Sequence, residues 1–222
     1  MSSTNTDTPP AKGPIPLVIG LDLSLTSTGI AGVDWADALR PKSTLRGHPR
    51  LAWIVNEIAD RVRRADLAVI EGAAYGHGAQ AGHHELAGLW WMVTQSLWRR
   101  AIPYAVIAPS QLKVYACGTA NPAADYPKAT RSKVAKGMVR DAVAQLFGLE
   151  CEGSGRYDKA DAAVLAHMGR DWLGHPAAAL PERHRRALTA AAWPVEARSR
   201  ILSATRRPPA EIATEVVDPQ RQ

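Results

Sequence analysis

Four carboxylates stand where the chain has reason to bring them together. Asp22 closes an apolar run, IPLVIGLDL, over residues 15–23, and Glu71 closes a second, DLAVIE, over residues 66–71. Asp158 and Asp161 lie three apart at the head of a helical pattern, a spacing that puts both on one face. Clustered acids repel and raise one another's pKa unless a cation neutralises them. A donor set made only of carboxylate oxygens suits Mg²⁺, with Mn²⁺ as a substitute, better than zinc. Two such ions, about 3.5–4 Å apart, activate water on one side of a phosphodiester and stabilise the leaving oxygen on the other. The chemistry expected of Asp22, Glu71, Asp158 and Asp161 is therefore metal-assisted phosphodiester hydrolysis with water as nucleophile. Taken singly, the acids have plainer readings: Asp22 as a turn opener, Glu71 as a solvated strand end, Asp158 as an N-cap and Asp161 as a first-turn acid favoured by the helix dipole.

The elements that must position these acids follow from the period of the apolar residues. Residues 15–23 read as a buried central strand, 29–35 as an antiparallel return and 43–47 as a third strand. Leu51, Ile54, Val55, Ile58 and Val62 then recur at helical spacing, so 49–64 is an amphipathic helix with Pro49 at its first position. Residues 66–71 form a fourth strand, 72–82 a Gly- and Ala-rich loop, 83–100 a helix and 103–108 a fifth strand. A short helix at 111–115, a loop at 118–126, a long helix at 129–147 stopped by Gly148, and a helix at 159–172 complete the order. Hairpin-like strands followed by alternating helices and strands predict an α/β fold, a mixed five-stranded sheet flanked by helices. Ligands gather at the carboxyl ends of strands in such sheets, which is where Asp22 and Glu71 lie.

Composition narrows the partners. The 222 residues are 46% hydrophobic and 22% charged, which fits one globular core and excludes a disordered polar chain or a fibrous repeat. Lys and Arg number 27 against 21 Asp and Glu, a net charge of +6 that favours a polyanionic partner. Much of that charge is local: Lys128, Arg131, Lys133, Lys136 and Arg140 follow one another with no acid between them, as phosphate contacts to DNA require. Arg183, Arg185, Arg186, Arg198, Arg200, Arg206 and Arg207 form a looser set near the end, to hold DNA or to keep the segment soluble. Cys117 and Cys151 have no zinc or disulfide spacing, and His77, His83 and His84 lack a fitting carboxylate or thiol, so no zinc site is expected. The apolar run at 17–21 is too short for a membrane span and no secretory pattern precedes it, so a reducing cytoplasm is the expected location. Trp90, Trp91 and Trp98 lie on or beside one helical stripe, as core or as a dimer surface.

Read in order, Gly20-Leu-Asp22-Leu-Ser-Leu-Thr-Ser-Thr28-Gly29, Ala68-Val-Ile-Glu71, Ala108-Pro-Ser-Gln-Leu-Lys113 and Asp158-Lys-Ala-Asp161-Ala-Ala resemble the motifs of the RuvC-type Holliday-junction resolvases. The resemblance spans about residues 15–172 and implies an RNase H-like fold, two Mg²⁺ ions held by Asp22, Glu71, Asp158 and Asp161, and no nucleotide cofactor. It implies a homodimer on a four-way DNA junction, and a role for Lys113 in bracing phosphate charge. A second family lysine falls on Arg131 or Lys133, and the two stay open. Two departures mark divergence: the turn after the first acid is Asp22-Leu-Ser24 in place of Asp-Pro-Gly, and the stacking aromatic after Glu71 comes one place later, as Tyr75. On this reading residues 1–14 are a disordered arm, 15–173 a RuvC-like nuclease domain and 174–222 a basic Ala/Arg/Pro-rich extension. The expected activity is Mg²⁺-dependent, structure-selective cleavage of four-way junctions. A broader branched or flap DNA nuclease and a non-catalytic junction binder remain the alternatives. An actin-like or sugar-kinase-like ATPase is disfavoured by the lack of a second Asp-x-Gly hairpin and of a GxxxxGK[ST] segment.

Overall fold

The computed structural model describes residues 15–72 and 82–198. Its strands are β1 (Val18–Asp22), β2 (Thr28–Ala31), β3 (Ala36–Leu39), β4 (Leu67–Glu71) and β5 (Tyr104–Ile107). Its helices are α1 (Gly47–Val62), α2 (His83–Arg99), α3 (Pro109–Cys117), α4 (Lys128–Phe147), α5 (Arg156–Trp172) and α6 (Glu182–Thr189). The strands form one mixed sheet in the order β3-β2-β1-β4-β5. The first three pair antiparallel, and β1, β4 and β5 pair parallel. This is the five-stranded α/β sheet expected. Among the described residues no helix is long and apolar enough to cross a membrane.

Alternation along the strands sorts side chains between two cores. Ile19 and Leu21 of β1 with Ala68 and Ile70 of β4 face α1 and α2, and pack with Ile54, Ile58, Leu89 and Val93. Val18, Leu67 and Val69 face the other way, onto α5 and the helices around it. Both faces of β1 and β4 are thus covered, which explains why their sequences read as continuous apolar runs.

The α5 layer lies unusually close to the sheet. A Cβ on Gly20 would stand 1.9 Å from the Ala162 carbonyl oxygen, and one on Gly29 would stand 1.9 Å from the Asp158 carbonyl oxygen. Small residues on the helix complete the fit, since Ala160, Ala162, Ala163 and Ala166 are fully buried. Gly155 precedes α5 with a positive φ of 75°, and a Cβ there would lie 2.6 Å from the Ala38 side chain.

Several boundaries differ from the sequence expectation. The return strand ends at Ala31, because the Gly32 N–H donates to the Trp35 carbonyl across a tight turn, 3.0 Å. The third strand is consequently Ala36–Leu39 and not 43–47, where the Leu45 N–H donates back to the Lys42 carbonyl in a turn of its own. Helix α3 is longer than 111–115, with Pro109 in its first turn and the Gln111 side chain accepting the Ala108 N–H at 2.8 Å. Helix α5 begins at Arg156, so Asp158 is a first-turn residue and not the N-cap, a position that Gly155 holds. The weak helical patches expected after 174 include α6, whose His184, Ala187 and Leu188 are buried.

A titratable ring lies inside this core. His167 on α5 is 2% exposed, with its ring stacked on Phe147 at 3.7 Å between centroids. Burial, with the nearby Arg170 charge, pushes its pKa down to about 4. The unfolded chain takes up this proton near pH 6.5 and the folded chain does not. The contribution is therefore whole above about 6.5 and is lost as pH falls toward 4, by up to about 3 kcal/mol. Urea midpoints of wild type and His167→Gln should accordingly draw apart with pH, the wild type losing ground on acidification; a pH-independent difference contradicts this. The close approach of α5 makes a second test. Gly20→Ala should destabilise by at least about 1–3 kcal/mol, whereas Gly137→Ala on α4, where a Cβ meets nothing within 4 Å, should stabilise by about 0.4–1 kcal/mol. Equal denaturation midpoints for the two variants would contradict the packing described.

Candidate active site

The strand period that sorts the core also aims the first two acids. Asp22 shares its parity with Val18 and Gly20, and Glu71 with Leu67 and Val69, so both point to the α5 face. The parallel register pairs Leu21 with Ile70, which brings Asp22 level with Glu71 one step on. Gly29 pairs with Asp22 across the hairpin and is the residue against which the Asp158 backbone rests. Asp158 and Asp161 are then delivered by the first turns of α5, where the N-terminal dipole favours negative charge.

The four acids meet electrostatically. Asp22, Glu71 and Asp161 keep some surface open to solvent, yet their carboxyl groups are packed round with protein. Burial, then the Glu71 charge and a hydrogen bond shared with it, hold the Asp22 carboxyl well above its usual range. Glu71 is raised by burial and by Asp161. Asp161 is pushed up to about 8 by burial first, then by Asp22, with Asp158 adding to the effect. As placed, no three of the described His, Cys, Asp and Glu side chains form a group that could hold a metal ion. Asp22 and Glu71 instead face each other through a shared hydrogen bond.

Two cations oppose this charge. Lys113 of α3 lowers the pKa of Glu71 and Asp161, which puts its charge near both. Lys136 of α4 lowers Asp22, Glu71 and Asp161 alike. From sequence alone Lys136 is a DNA contact, and the second bracing position falls on Arg131 or Lys133. Lys136 follows Ala135 of the buried stripe Ala135, Val139 and Val143 and is exposed as Lys133 is; its pull on the three acids is what sets it apart. Arg131 is otherwise engaged, its guanidinium donating to the Ala124 and Tyr126 carbonyls and closing the loop before α4. Arg140 is paired with Asp141 at 2.7 Å, which removes it from the free basic face. Lys128 and Lys133 remain exposed. Tyr75 and His77 lie outside the described residues.

Cys117, one turn after Lys113, was not expected here. Its thiol is pushed up to about 11 by burial and by the Asp161 charge, and Lys113 opposes the shift. The arrangement as a whole is an acidic floor with two ammonium groups at its rim. Its carboxylate oxygens are donors of the kind that suits Mg²⁺ or Mn²⁺, although as placed no three of the described side chains form a metal-holding group.

No protein-family model matches the chain, and no curated protein matches it in sequence. Solved structures do. The yeast mitochondrial Holliday junction resolvase Ydc2 aligns with a TM-score of 0.42 at 13% identity, over 89% of this chain and 87% of its own. RuvC from Thermus thermophilus aligns with a TM-score of 0.52 at 16% identity, over 72% of this chain and 97% of its own. The same values hold for that RuvC in complex with Holliday junction substrate. The likeness to RuvC is one of fold: a mixed five-stranded sheet flanked by helices, consistent with an RNase H-like α/β fold.

Proposed function

We propose that the chain is a divalent-metal-dependent endonuclease that cleaves four-way DNA junctions. The observation that carries this reading is the convergence of Asp22, Glu71, Asp158 and Asp161 with Lys113 and Lys136 at the carboxyl edge of β1 and β4. A likeness of fold to RuvC, one structure of which holds a Holliday junction, supports the choice of substrate.

In this reading the four carboxylates hold Mg²⁺, two ions per site, with Mn²⁺ as a substitute. Bound there, the ions supply the positive charge that activates a water toward phosphorus and stabilises the leaving oxygen. The side chains do the rest. Asp22 and Glu71, fixed by neighbouring strands, set one side of the site; Asp158 and Asp161, fixed by α5, set the other. Lys113 and Lys136 bear on the phosphate charge that builds up as the bond to the leaving oxygen breaks. No side chain is asked to form a covalent bond to DNA.

Affinity without sequence information comes from phosphate contacts outside this centre, for which exposed Lys128 and Lys133 are the free groups on α4. A homodimer would set two such sites on the two strands of a symmetric junction. The surface that supports it is on α2, where Trp91 and Trp98 are 68% and 72% exposed and form an apolar groove with Met92 and Tyr104.

The test is a nicking assay on an end-labelled four-way junction, with duplex and flap controls. Symmetric nicks that need Mg²⁺, stop with EDTA and vanish in Asp161→Asn are expected. Cleavage of every branched form would widen the substrate to branched DNA in general, and binding without any cut would leave a junction-binding protein. The two lysine classes separate in the same assay. Lys136→Ala should cost about a hundredfold in turnover, whereas Lys133→Ala should weaken binding and lower the slope of log affinity against log salt by about 1. The reverse pattern would contradict the assignment of Lys136 to the site.

A further inference from the structure

The segment that follows α5 is tied to the helices that carry the site. Asp171, near the end of α5, is a charged side chain with no exposure at all. Arg185 of α6 reaches it with two donors, Nε to one carboxylate oxygen at 3.2 Å and Nη2 to the other at 2.9 Å. The Tyr115 hydroxyl of α3 donates to the same carboxylate at 3.1 Å. The buried His184 ring of α6 bonds the Tyr115 carbonyl oxygen through Nδ1 at 2.8 Å. One acid of α5 thus gathers α3 and α6, and α6 grips α3 a second time.

Such a network is a poor way to gain stability. Removing a carboxylate from water costs several kcal/mol that its partners recover only in part, and apolar residues of the same size serve as well or better. What directional bonds add is orientation, and here the oriented part is α3. Lys113 and Cys117, four apart, lie on the face of α3 turned to the acids, and Tyr115, two from each, lies on the other. Any roll of α3 that moved Tyr115 off Asp171 would also move Lys113 off the acid cluster.

We propose that α6 is a positioning clamp for the active site: through Arg185, His184, Asp171 and Tyr115 it fixes the roll of α3 and so the place of Lys113. The basic character of this segment then serves the protein's own framework at Arg185, and not DNA. This inference rests on the nuclease reading for its effect on turnover, but not for its effect on α3.

The experiment uses the full chain, with Arg185→Gln and the milder Tyr115→Phe, which removes only the hydroxyl. Two readouts are taken well below the melting temperature of each variant. The first is junction cleavage, alone and in a Lys113→Ala background. Each variant should lower kcat on the order of ten- to a hundredfold with KM little changed, and the loss should disappear once Lys113 is absent, because the clamp acts through it. The second is the rate at which maleimide labels Cys117, assigned by peptide mass spectrometry, which should rise in both variants whether or not the chain cuts DNA. Faster labelling with no cleavage even in wild type would keep the clamp and remove the nuclease reading. Unchanged labelling in folded variants, or kcat losses that simply add to that of Lys113→Ala, would overturn the proposal.

Discussion

Everything in the proposed site depends on how near α5 can come to the strands. Backbone meets backbone at Gly20 and Gly29, where a single added carbon would stand 1.9 Å from a carbonyl oxygen of the helix. Interiors packed to this density do not yield by an ångström without cost. That contact fixes the height and the roll of α5, and Asp158 and Asp161 inherit both. Strand parity does the same for Asp22 and Glu71. Four acids on three elements therefore meet because of glycines and alanines that carry no chemistry themselves.

The meeting is electrostatically costly. Burial and mutual repulsion raise the carboxyls of Asp22, Glu71 and Asp161 together, and two lysines offset only part of it. In the proposed reading a hard divalent cation would offset the repulsion that the lysines leave. The same economy governs the rim. Of the basic residues along α4, Lys136 answers the acids, Arg131 closes a loop and Arg140 pairs with Asp141, so that only Lys128 and Lys133 are left for a polyanion.

Much of this was legible in the residues. The runs ending in Asp22 and Glu71 gave the central strands, their order gave the mixed sheet, and the three-residue spacing gave the shared face of Asp158 and Asp161. What was not legible depends on contacts between distant parts of the chain. The third strand was misplaced because a turn closed by the Gly32 N–H and the Trp35 carbonyl leaves no mark in hydrophobic period. Lys136 was read as a generic phosphate contact because only the docking of α4 tells which basic residue overlooks the acids. The segment after 174 was read by its composition, which cannot reveal that Asp171 waits, buried, for Arg185.

The central claim is that the four acids are a single cation-binding centre. Calorimetric titration of the full chain with Mn²⁺ tests it without recourse to DNA or turnover. The account predicts saturable binding to wild type that is lost in Asp161→Asn, although the variant keeps its fold. No heat of binding in wild type, or binding that survives undiminished in Asp161→Asn, would contradict it.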